Sequence, residues 1–122
     1  MADPKRTHRE VVRFALALPG AWEDHPWGEV VAKVGKKVFV FFGSDESPHW
    51  PGMTVKLLDS HEPALGVPGA GPTGYGLGKS GWVDIPFRDA NLSLGVLTDW
   101  VEESCRLVAP KKLIAQLDER RR

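Results

Sequence analysis

The 122-residue chain has one cysteine, Cys105, so neither an internal disulfide nor a cysteine-rich zinc site can be built. It also lacks an excess of either charge, since 16 Lys and Arg balance 16 Asp and Glu. No overall field draws it onto nucleic acid or an anionic membrane, and any such binding needs a local patch. Long apolar runs are missing too. The strongest, Val38-Phe39-Val40-Phe41-Phe42, falls far short of the roughly 20 residues that span a bilayer. The first residues have no apolar core or small-residue cleavage site of a signal peptide, which makes the cytoplasm the expected location. What is present is a 42% apolar content, sufficient for one core, in a length that suits one domain over residues 1–122.

Asp3 before Pro4 reads as an N-cap with proline at the first helical position. Val11, Phe14, Ala15 and Leu18 then lie on one stripe, predicting a helix over residues 4–18 that Pro19-Gly20 stops. From Glu29 the period changes to two, with Val30, Ala32 and Val34 on one side and Val31 and Lys33 on the other. After a turn at Gly35-Lys36, the β-branched and aromatic run 37–42 is the hairpin partner of this first strand. A third strand is predicted over 53–58 and a fourth over 82–85. Ser60 is suited to cap a short helical turn before Gly66-Val67-Pro68. Leu94, Leu97, Val101, Ser104 and Val108 carry a late helix, with Cys105 beside its stripe, and Pro110 separates it from a final amphipathic turn around Leu113 and Leu117. This order gives an α+β class: an antiparallel sheet with the N- and C-terminal helices packed on one face.

Residues 66–81 hold seven glycines, and Gly69-Ala70-Gly71-Pro72-Thr73-Gly74 satisfies GxGxxG. A dinucleotide site needs a strand before those glycines and a helix after them, and neither is present. Gly78-Lys79-Ser80 resembles the end of a phosphate-binding P-loop, but the required upstream glycine position is Thr73. The loop is instead expected to pack Tyr75, Leu77 and Trp82 and to leave Lys79 free. The four histidines have no metal-ligand spacing, and Asp59, His61 and Glu62 read as the start of a helix, so neither metal nor cofactor is expected. No nucleophile signature is present. In Trp22-Glu23-Asp24-His25-Pro26-Trp27-Gly28 the two tryptophans are expected to cover an edge of the core, with Pro26 and Gly28 shaping the way into the first strand. Lys33 and Lys56 fall on outward strand positions, Lys36 and Lys37 at the hairpin turn and Lys79 in the glycine loop.

Several segments together carry a resemblance: residues 18–28 (LPGAWEDHPWG), 34–39 (VGKKVF), 55–57 (VKL), 74–82 (GYGLGKSGW) and 104–112 (SCRLVAPKK). With these blocks in this order the chain resembles the MmcQ/YjbR family of small bacterial proteins. The resemblance implies a CyaY-like fold, similar to bacterial frataxin, and a DNA-binding role assigned to the family on structural grounds. The family often carries histidine and asparagine where Gly76 and Gly78 stand, and cysteine near Leu58. Lys79 and Trp82 match. Because the first helix is basic, the fold brings no iron binding with it. The chain thus reads as a non-enzymatic DNA-binding protein that contacts phosphates weakly, without sequence specificity, through Lys33, Lys36, Lys37, Lys56 and Lys79. The alternative is a small-molecule or peptide binding module, with Trp22, Trp27, Tyr75 and Trp82 around a cleft beside the glycine-rich loop.

Overall fold

The Asp3 carboxylate accepts the Lys5 amide at 3.0 Å and opens helix α1 (Pro4–Leu16), whose Val11 and Ala15 are fully buried. The computed structural model describes residues 3–88 and 92–120. Strands β1 (Ala21–Asp24), β2 (Val30–Val34), β3 (Lys37–Gly43) and β4 (Gly52–Lys56) follow, then the short helix α2 (His61–Leu65). Next come β5 (Gly71–Pro72) and β6 (Trp82–Pro86), then helices α3 (Leu94–Val108) and α4 (Lys111–Arg120). Among the described residues the strands form one antiparallel sheet in the order β1-β2-β3-β4-β6-β5.

Two strands lie outside the sequence reading. β1 occupies the segment expected only to lead into the first strand, and β5 is a two-residue edge within the glycine-rich stretch. The predicted hairpin of β2 and β3 forms, with register shifts that leave Phe39 and Phe42 as extra residues on β3. Both rings point into the core, where they are 0% and 1% exposed, because a bulge places two successive residues opposite one. Ser60 does not cap α2 as expected, since its hydroxyl donates to Glu103 Oε1 at 2.7 Å.

Helix residues Val11, Ala15, Ala64, Leu97, Val101, Cys105 and Leu117 share one buried cluster with Ala32, Val34, Val40, Met53, Val55, Val83 and Ile85. The helices therefore cover one face of the sheet. The register assigns the opposite face: Asp24, Val31, Phe41, Thr54, Asp84 and Gly71 stand side by side in one row across five strand pairings. Two residues along, about 7 Å away, a second row holds Trp22, Lys33, Val38, Lys56 and Trp82.

β3 and β4 share only the pairs Val40 with Val55 and Phe41 with Thr54 before they diverge. The fully buried Ser104 of α3 fills the gap: its hydroxyl donates to Phe39 O at 2.5 Å and accepts the Lys56 amide at 2.9 Å. Both backbone groups are thereby satisfied where the ladder has ended.

His8 on α1 is nearly buried among Phe42, Trp50 and Phe87, its ring centroid 4.4 Å from that of Trp50. Burial lowers its pKa, against the opposing pull of the Phe42 carbonyl 3.3 Å from Nε2. The folded protein thus holds this proton less readily than the unfolded chain, so stability falls as pH drops below about 6.5 towards the lowered folded value. Denaturant titrations between about pH 7 and pH 5 are expected to show this decline, and His8→Gln is expected to reduce it.

Candidate functional site

Antiparallel pairing brings the end of β2, the start of β3, the end of β4 and the start of β6 to one end of the sheet. Lys33 is opposite Val38, Lys37 opposite Val34 and Lys56 opposite Trp82, with Lys36 in the intervening hairpin turn. Lys79 lies in the 3-10 turn Leu77–Ser80, and the next residue, Gly81, accepts the Leu57 amide at 2.9 Å, which fastens the turn to the end of β4. A Cβ at Gly81, where φ is +96°, would lie 2.6 Å from Leu57 O, so this approach requires glycine. All five lysines singled out in the sequence therefore gather at the same end.

They differ in availability. Lys36, Lys37 and Lys79 are exposed and Lys56 is half-buried, and none of the four forms an ion pair among the described residues. The Lys33 side chain is only 19% exposed. Its ammonium is 3.1 Å from Asp24 Oδ2 and 4.9 Å from the centre of the Trp22 ring. The Asp24 pKa is lowered by the His25 amide, then by Lys33. Lys33 thus stands on the open face as the sequence predicts, but its charge is already engaged.

Beside Lys79 a shallow groove of about 330 Å³ runs between Leu57, Leu58, His61 and Ser80. His61 Nε2 is buried there and has no hydrogen-bond partner among the described residues. Glu103 of α3 secures the adjoining backbone: Oε2 accepts the Leu58 and Ser60 amides at 2.8 and 3.2 Å. Burial raises the Glu103 pKa, but these amides and the Ser60 hydroxyl outweigh it and leave the group below its ordinary value.

The four aromatic residues expected around a cleft are not gathered into one. Trp22 on β1 and Trp82 on β6 are four strand spacings apart, about 19 Å. Trp22 lies on the open face, not over the core edge; it is 44% exposed and its indole N–H donates to Gly35 O at 3.0 Å. Trp82 is buried against Phe41 in an edge-to-face contact, with centroids 5.4 Å apart. Tyr75, at φ +58° between two glycines, is fully exposed, and Leu77 is exposed as well, so the glycine loop does not pack them as expected. The Trp27 side chain lies outside the described residues.

A larger cleft of about 530 Å³ opens at the other end of the open face, between the 48–50 loop and the β5–β6 edge. His49, Trp50, Asp84 and Arg88 line it. Asp84 Oδ1 accepts the Thr54 hydroxyl at 2.7 Å and the Thr73 hydroxyl at 2.8 Å. Sequence reasoning missed this group, because Thr54 and Asp84 meet only through the β4–β6 register and nothing local encodes that pairing.

Cys105 is fully buried, and burial, followed by the nearby Glu102 charge, pushes its thiol up to about 11. Little thiolate exists at neutral pH, and the residue serves the core rather than nucleophilic chemistry. Among the described residues no cluster of three or more His, Cys, Asp or Glu is arranged to hold a metal ion, and no helix is long and apolar enough to cross a membrane.

A sheet covered by helices on one face and open on the other defines an α+β protein, with the lysines gathered at one end of the sheet and the larger cleft at the other. Residues 16–107 match the YjbR family model, and the chain belongs to the YjbR family. No curated protein matches it.

Proposed function

We propose that this YjbR-family protein binds the DNA sugar–phosphate backbone through the lysine end of its sheet, weakly and without reading bases. The observation that carries the reading is the convergence of Lys36, Lys37, Lys56 and Lys79, from three separate chain segments, on one end of the sheet. A chain of zero net charge gains affinity for a polyanion only where its cations are concentrated and unpaired, and these four share one end of the sheet without an ion pair among the described residues. In the groove beside Lys79, the exposed Ser80 hydroxyl adds hydrogen-bonding capacity suited to a phosphate oxygen. The rows of the open face hold no arginine, asparagine or glutamine, the side chains best suited to bidentate base contacts.

Three to four neutralised phosphates give a slope of log affinity against log salt of about −3 for duplex DNA. Fluorescence anisotropy with labelled duplexes of unrelated sequence is expected to return that slope with similar affinities. No binding at low ionic strength, or binding insensitive to salt, would refute the proposal.

A further inference from the structure

The cleft at the opposite end of the open face carries two opposite charges that do not neutralise each other. Asp84 is held in place by two hydroxyl donors on Oδ1, while Oδ2 has no hydrogen bond among the described residues. Arg88 is exposed in the same cleft and has no carboxylate within 4.0 Å among them. The carboxylate orientation is reinforced from behind. The single Thr54 hydroxyl proton goes to Asp84, so His49 Nε2, 3.4 Å from Thr54 Oγ1, can approach that oxygen only as a donor. Thr73 supplies the second donor from beside the β5 edge. A fixed anion with one open oxygen is organised for a cationic partner, and the fork of a free guanidinium suits a carboxylate.

We infer that this cleft binds a small amino-carboxylate zwitterion of dipeptide size, with its ammonium on Asp84 and its carboxylate on Arg88. A volume of about 530 Å³ is within the range of small-ligand sites. The two charges are more than 4.0 Å apart, because no ion pair joins them. A dipeptide spans at most about 7 Å between its ends, so bridging requires the two charges to lie within that span plus one hydrogen bond at each end. Between the charged ends, Trp50, Pro48 and Pro86 supply apolar wall for a side chain, and Gly71 leaves open space on the β5 side. The site is separate from the lysine end and does not depend on DNA binding.

The test is an amide chemical-shift titration of the full chain with alanyl-leucine and with its N-acetylated, C-amidated counterpart. The free dipeptide is expected to shift the amide resonances of His49, Trp50, Gly71, Thr73, Asp84, Ile85, Phe87 and Arg88 saturably, and the blocked one to leave them in place. Asp84→Asn, whose side-chain oxygen can still accept both threonine hydroxyls, and Arg88→Gln, on an exposed position, are each expected to weaken binding at least tenfold. Lys37→Glu/Lys79→Glu is expected to bind the dipeptide as the parent does, which keeps this result independent of the DNA proposal. No saturable shift with the free dipeptide, equal shifts with the blocked one, or unchanged affinity in both cleft variants would overturn the inference.

Discussion

Gly52→Ala is expected to lower the thermal midpoint by about 10 °C, corresponding to about 3 kcal/mol. A Cβ at this position would sit 2.4 Å from His49 O and 2.5 Å from Ile85 O, both backbone atoms that no rotamer change can remove. Gly52 is buried at the start of β4, opposite Pro86 of β6. Relief requires either the β4–β6 ladder to open or the 48–50 loop to lift from the sheet. The first loses central pairing, and the second also displaces Trp50 from His8. Circular dichroism melts of the parent and the variant measure the effect; midpoints within a degree or two of each other would mean that this approach is looser than described.

Charge reversal at the lysine end is expected to act on binding and spare the fold. In Lys37→Glu/Lys79→Glu, two exposed cations from different segments become anions at the end where DNA is proposed to lie. Each lost phosphate contact removes roughly a factor of ten in affinity at low salt, so a fall of about 100-fold is expected, with added repulsion. The thermal midpoint should stay nearly constant, because solvent-exposed charges without ion-pair partners contribute little to stability. Lys33→Glu would be a poorer probe: it would set a carboxylate against Asp24 and remove the cation above Trp22. Anisotropy titrations alongside melting curves separate the two effects.

Local periodicity made the hairpin of β2 and β3 legible, because alternation, a Gly35-Lys36 turn and an aromatic run coincide within fourteen residues, 30–43. Helices α1 and α3 were equally legible from their apolar stripes, and α1 also from its Asp3 cap; the Ser93 hydroxyl that caps α3, accepting the Val96 amide at 3.2 Å, was not singled out. β1 escaped because Trp22, Glu23 and Asp24 form a partly exposed edge without an alternating apolar pattern. β5, only Gly71 and Pro72, has composition that reads as loop. The lysines could be named one by one, but their convergence needs the long-range pairing of β4 with β6 and the fastening of Gly81 to Leu57. Ser104 looked like a minor polar position on a helix stripe. It proves to bridge two diverging strands, a role visible only once α3 lies across them.

The location of the DNA interface is best tested by mapping amide chemical-shift changes on the full chain during titration with a short duplex at low ionic strength. The largest changes are expected to cluster at 35–38, 56–58 and 78–82, the end of the sheet that carries Lys36, Lys37, Lys56 and Lys79. Changes concentrated instead around 44–50 and 84–88, at the opposite end, or dispersed over the helical face, would contradict it.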